Sequence, residues 1–302
     1  MMESRFVALI LGHRAAEIGV GLEALGVRVL HAEDSASLFA VLDSEREVSV
    51  LVLSSDVGRE VAAAVLAAAK TRYVSLPSIW LGASLGGAPL ADFRTSPDIL
   101  MNEPVLAEEV HQHMMEILQR SYTDTIAELL VEVTGDALRD SSSAVSTTSP
   151  VRVNSLHRLV NDVNTIIAFC GNGISGRLLV SAEEATLLSI RGRTMSAAGG
   201  ADRRAAEDLV GEIANLAAGK LKYAFDQLGV ECEIGTPLMV GSAGMIVRPS
   251  RGQPSLCVDL GSVDGCVRGE LSIDRCDDAR LAMLSAPPVR RDIDQESEVC
   301  FF

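Results

Sequence analysis

The sequence predicts an α/β chain of two domains, a doubly wound and mainly parallel sheet followed by an α+β unit. Three observations carry this prediction. Residues 5–120 alternate short apolar runs with amphipathic helical stretches. Beyond residue 122 the pattern changes to long helices mixed with strand-like pairs. The length of 302 residues, with hydrophobic residues at 48%, is enough for two cores of ordinary size.

In the first domain, expected over 1–121, the strand-like runs are Phe6–Leu11, Val27–Leu30, Val48–Leu53, Ser78–Leu81 and Ile99–Met101. Helical stretches Ala15–Leu25, Ser35–Leu42 and Glu60–Thr71 lie between them, and Leu106–Leu118 closes the unit. The second domain, expected over 122–275, opens on a helix at Thr123–Leu138, and the Ser/Thr-rich stretch Asp140–Pro150 reads as a loop. Strands are expected at Asn164–Cys170 and Arg177–Ser181, then a helix from Ala182 to about Arg193. Gly199-Gly200 punctuates before a long helix, Arg203–Leu228. Strand-like runs follow at Glu231–Gly235, Gly244–Val247, Ser255–Leu260 and Cys266–Ile273. The charged stretch 276–302, with Pro287-Pro288, reads as a flexible C-terminal tail.

Composition excludes several function classes. A formal charge of −15 argues against binding a nucleic-acid backbone, and Arg290-Arg291 is too short for a basic patch. The apolar run Phe6–Leu11 is far too short for a membrane span or a signal-peptide core. The six cysteines are irregularly spaced, form no C-x-x-C pair and stand apart from any histidine cluster, which argues against a zinc site. Free thiols of this kind fit a cytoplasmic protein. Gly171-Asn172-Gly173-Ile174-Ser175-Gly176 matches the dinucleotide fingerprint G-x-G-x-x-G, but a strand pattern follows it where a helix is required. A hairpin turn is the better reading. His111 and His113 lack a third partner and read as surface residues.

The most informative segment is Glu207–Lys220. Asp208, Glu212, Asn215 and Gly219 are spaced four, three and four residues apart, which aligns them in one stripe of a helix. Leu209, Ile213 and Leu216 form an apolar stripe beside it. A merely solvated face would carry Glu, Lys or Gln. Asparagine is instead a poor helix former, and glycine costs roughly 1 kcal/mol against alanine. Gly219 would leave a gap for another protein's backbone. Asp124, Glu128, Val131 and Gly135 repeat the spacing on the earlier helix, as an internal duplication would, with valine where asparagine stands in the second copy.

These residues resemble the motif of the CheC/CheX/FliY family of chemotaxis phosphatases, and the likeness extends over about residues 123–275. The resemblance implies an enzyme that hydrolyses the phospho-aspartate of a separate response regulator, a CheY-like protein. Glu212 and Asn215 would be catalytic, and Asp208 and Gly219 would bind the partner. It implies no metal and no cofactor in this chain, since the magnesium ion belongs to the phosphorylated partner, and it implies a homodimer. The alternative is a non-catalytic binding module, as in flagellar-switch relatives.

The first domain resembles a response-regulator receiver in Val48–Ser54, Leu76–Leu81 and Ile99–Pro104. The receiver's working residues are replaced: Ser54 stands for the acceptor aspartate, Gly12-His13 for the acidic pair, Gly82 for the hydroxyl residue and Glu103 for the lysine. Phosphoryl transfer to a carboxylate needs a metal and a cation to offset charge on the phosphoryl oxygens. The domain is therefore expected to be a pseudo-receiver, and any reaction to occur in trans. Asp56 is a displaced acceptor or a surface loop residue, and the loss of its partners favours the second.

Overall fold

The computed structural model describes residues 5–13, 15–45, 47–82, 97–102, 104–118, 123–142, 147–194, 203–241, 244–247, 253–262 and 264–285. Its first domain alternates β1 (Val7–Leu11), α1 (Ala15–Ala24), β2 (Arg28–Ala32), α2 (Ser35–Ser44), β3 (Val50–Leu53) and α3 (Arg59–Arg72). It continues through β4 (Ser78–Leu81), β5 (Ile99–Met101) and α4 (Ala107–Leu118). All pairings are parallel, in the order β2-β1-β3-β4-β5. The alternation of strand side chains makes two cores, one on each face. Ala8, Ile10, Val50, Val52 and Ile79 pack towards Leu22 of α1 and Val110 and Met114 of α4. Leu9, Leu11, Leu51 and Leu53 pack towards Leu38 of α2 and Val65 and Leu66 of α3. Asp34 caps α2, accepting from the Ser37 amide at 2.7 Å, with Ser37 completing a capping box.

The second domain runs through its elements twice in the same order. The first pass is α5 (Asp124–Ser142), β6 (Thr147–Thr148), β7 (Arg152–Asn154), β8 (Val163–Gly171), β9 (Ile174–Ala182) and α6 (Glu184–Thr194). The second is α7 (Arg203–Gln227), β10 (Cys232–Ile234), β11 (Leu238–Val240), β12 (Ser255–Ser262), β13 (Gly265–Cys276) and α8 (Asp278–Ser285). In each pass a long hairpin forms, β8–β9 or β12–β13. The two short strands of each pass then pair with the hairpin of the other: β6 and β7 with β12, β10 and β11 with β8. The antiparallel β9–β13 pair joins the halves. This topology supports the duplication read from the repeated spacing. Gly269 of β13 faces Thr134 of α5, so a Cβ there would lie 2.6 Å from the threonine methyl. The helices therefore cover one face of the sheet, and Arg268 and Glu270, its neighbours in β13, point to the other.

The Gly171–Gly176 segment is indeed a hairpin turn, with Gly173 at φ 86 between β8 and β9. Three expectations need correction. The tail expected from residue 276 begins with α8, whose Leu284 is fully buried and whose backbone carbonyl accepts from Thr123 Oγ1 at 3.2 Å. The charged residues Asp277, Asp278 and Arg280 around its start concealed that docking, and residues 286–302 lie outside the described residues. The strand expected over Gly244–Val247 is an isolated bridge, Arg158 to Ile246, because its partner segment 155–161 is irregular. The loop expected over Asp140–Pro150 loses its start to α5 and contains β6. The short strands β7 and β11 have no periodicity of their own and were not legible.

Candidate functional site

The site is a ridge on α7. Alanine, leucine, lysine, arginine and glutamate, good helix formers, make up most of this helix of 25 residues. Leu209, Val210, Ile213, Ala214, Ala217 and Leu221 are buried against the sheet and α5. Phe225 meets Phe169 of β8 edge-on, with ring centroids 5.6 Å apart. With this face inward, the 3.6-residue period leaves Asp208, Glu212, Asn215 and Gly219 exposed. The structure therefore brings together all four residues singled out from the sequence. Nothing lies within 4 Å of a Cβ built on Gly219, so the gap predicted there is open.

Long-range contacts fix the helix in place. Arg203 at its first turn donates to Glu207 (3.1 Å), Glu184 (3.3 Å) and the carbonyls of Asp162 (3.3 Å) and Gly241 (3.1 Å). A Cβ on Gly241 would come within 2.4 Å of the guanidinium, so glycine makes that clamp possible. Lys222 donates to the Cys232 carbonyl at 2.9 Å, and Lys220 pairs with Asp140 of α5 at 2.9 Å. β10 and β11 thus run alongside α7. Met239 pairs with Thr165, a residue on the helix-covered face, and lies beside Gly211.

Between α7 and Met239 lies an open groove of 540 Å³ into which Glu212 and Asn215 both open. Glu207 and Asp208 add two further carboxylates, with Arg204 the cation at one end. A groove so charged attracts a cationic side chain from a partner. The amide of Asn215 carries both a donor and an acceptor, enough to hold and orient a water molecule. Sequence reasoning missed Met239 and Arg204. Nothing in a three-residue strand signals that its methionine will face a helix nearly thirty residues earlier, near Gly211.

No cluster of three His, Cys, Asp or Glu side chains that could hold a metal occurs among the described residues. His113 pairs with Glu116 on the surface at 3.0 Å. In the first domain Ser54 directly follows β3 and is 1% exposed. The carboxylate of Asp56 turns back to accept from the His13 amide at 2.8 Å. Gly12, at φ +108, permits this closure, since a Cβ there would lie 2.6 Å from Asp56 Oδ1 and 2.7 Å from Ser54 Cβ. Gly82 donates to the Met101 carbonyl at 2.9 Å. Glu103 lies outside the described residues.

Residues 163–261 match the family described as chemotaxis phosphatase CheX. No curated protein matches the chain. A putative chemotaxis protein from Desulfovibrio vulgaris Hildenborough is 15% identical, with a TM-score of 0.46 over 51% of this chain and 98% of its own. A CheX–CheY–BeF3–Mg complex from Borrelia burgdorferi contains a chain 18% identical, with a TM-score of 0.39 over 48% of this chain and 96% of its own. A CheY-like response regulator receiver domain protein from Methanospirillum hungatei JF-1 is 18% identical, with a TM-score of 0.32 over 37% of this chain and 93% of its own. The family match spans α7 whole, and the first domain has the parallel β2-β1-β3-β4-β5 order of receivers. The chain thus joins a parallel sheet with the strand order of receivers to a domain whose residues 163–261 match the CheX family.

Proposed function

We propose that this protein hydrolyses the phospho-aspartate of a separate response regulator. The observation that carries the reading is that Glu212 and Asn215 are exposed together in one groove of α7, inside the segment matching the chemotaxis phosphatase family. An acyl phosphate is already reactive, so the task is to place a water in line with phosphorus. The Asn215 amide orients that water without acting as a strong base. The water oxygen bonds to phosphorus as the bond to the aspartate oxygen breaks. The carboxylate leaves, and the water's protons pass to phosphate and solvent. Glu212 pairs with a cationic side chain of the partner, which fixes the attack geometry. Asp208 and the gap at Gly219 receive the partner's backbone. Any magnesium ion belongs to the phosphorylated partner in this reading.

The first domain then acts as a pseudo-receiver. Ser54 is no acceptor, and Asp56 is turned onto the backbone of His13. The reaction occurs in trans, in the cytoplasm. Among the described residues no helix is long and apolar enough to cross a membrane. A homodimer would show in solution as twice the chain mass of 32.0 kDa. The test is phosphate release from phosphorylated receivers. Release faster than the spontaneous rate with wild type, and at the spontaneous rate with Asn215→Ala, supports the proposal. Binding with no acceleration by wild type would replace it with a docking module.

A further inference from the structure

The joint between the domains is built like a protein interior. Glu47, just before β3 of the first domain and 7% exposed, pairs with Arg268 of β13 at 2.7 Å and with Arg152 of β7 at 2.5 Å. Arg268 is 2% exposed, and both arginines also pair with Asp259 of β12. Glu270 accepts from Ser255 Oγ at 2.5 Å and lies 3.6 Å from His157 Nδ1. These groups occupy the sheet face opposite the helices.

Backbone bonds cross the same joint. The Ser49 hydroxyl accepts from the Val7 amide at 2.9 Å and donates to the Val153 carbonyl at 2.7 Å. The Ser155 amide donates to the Val48 carbonyl at 2.9 Å, and its hydroxyl to the Ser49 carbonyl at 2.8 Å. Val153 donates to the Arg5 carbonyl at 3.0 Å. Leu156, fully buried, completes the core that α2 and α3 form with the first sheet. Domain boundaries are usually crossed by few contacts. Here a carboxylate from one domain pairs with two arginines of the other, Arg268 buried and Arg152 half-buried, and Asp259 shares in neutralising them. Removing one partner of a buried pair leaves an uncompensated charge, which is strongly destabilising.

We infer that the first domain is a structural part of the second: its N-terminal strand edge covers the outer face of the CheX-family sheet, and the two unfold as one cooperative unit. The first-domain residues named here lie at the N-terminal ends of β1 and β3 or just before them, and Arg158 adds a bond to the Asp43 carbonyl near the end of α2. The opposite ends, with Gly12, Ser54 and Gly82, are left out of the joint. The receiver fold thus has its fixed partner within the chain. This inference is independent of any phosphatase activity.

Two internal reporters test it in the full chain. Trp80, the single tryptophan, reports the first domain. Cys232 and Cys257 are buried in the second, and Cys257 lies under the charge network, where burial pushes its thiol well above the usual value. In urea, wild-type Trp80 emission and N-ethylmaleimide labelling of Cys232, read by mass spectrometry, should change at one midpoint. Glu47→Gln should lower both midpoints together. In native buffer it should also speed labelling of Cys257 at least about tenfold relative to Cys232, if loosening of the joint precedes global unfolding. Separate midpoints for Trp80 and Cys232 in wild type would overturn the inference, whether or not the variant folds. So would a variant that shifts Trp80 alone.

Discussion

The helices α5 and α7 occupy equivalent places in the two passes of the second domain, and they differ in what they show to solvent. On α7, Asp208, Glu212, Asn215 and Gly219 are all exposed. On α5 the same spacing starts exposed at Asp124 and Glu128, turns half-buried at Val131, and ends buried at Gly135. The reason is packing. α5 is held between α7, α8 and the strands β12 and β13, so its stripe rotates into contact before it is complete. A repeated spacing therefore gives a ridge only where the neighbouring elements leave one side of the helix free. The polar asparagine is found on the copy whose side is free.

This contrast can be broken or sharpened by substitution. The largest effect is expected from Asn215→Ala, which should slow phosphate release from a phosphorylated receiver roughly a hundredfold while the thermal midpoint stays unchanged. Glu212→Gln should cost about tenfold, mainly through the lost charge-assisted pairing with the partner, and a binding assay at rising salt should show a shallower dependence than wild type. Val131→Asn would restore the missing amide on α5. It should add no activity, because that position is half-buried and packed against the core, and it should lower stability by about 1–2 kcal/mol in urea titrations. A gain in turnover by that variant would show that burial is not what silences the first copy.

The smallest effect is expected from the glycines. Gly219→Ala places a Cβ in open space on an exposed helix, so the fold should gain up to about 1 kcal/mol. The same methyl group should raise KM for the phosphorylated receiver if the partner's backbone approaches there. A raised thermal midpoint with unchanged KM would remove Gly219 from the docking surface. At Gly135 a Cβ would meet Arg139 Nη1 at 3.6 Å, ordinary contact, so Gly135→Ala should be tolerated with no change in turnover.

Acid should separate the buried joint from the exposed ridge. Burial alone would raise the Glu270 carboxyl, but His157, Arg268 and Ser255 hold it down at about 2. Its folded value is depressed, so its contribution is complete above its ordinary value of 4.5 and is lost as pH falls towards 2. Acid denaturation followed by Trp80 emission should begin in that window, and Glu270→Gln should flatten the dependence there.

Much of this was legible in residue order. The strands of the first sheet and the ridge of α7 were read correctly because they rest on local periods of 2 and 3.6 residues. Gly12-His13, Ser54 and Gly82 follow β1, β3 and β4, at the strand ends where the sequence placed them. What stayed hidden depends on partners far along the chain. Met239 faces α7 only because β11 pairs with β8. α8 is charged enough to pass for a tail, yet Leu284 docks on the start of α5.

By itself the sequence determined which faces are apolar and which side chains could orient a water, since both follow from side-chain chemistry repeated at helical or strand spacing. Only the tertiary structure decided which copy of the ridge is open and that Glu47 would meet Arg268, 221 residues away. Buried charge must be neutralised wherever folding brings it, and no local pattern records which distant residue will supply the counter-charge.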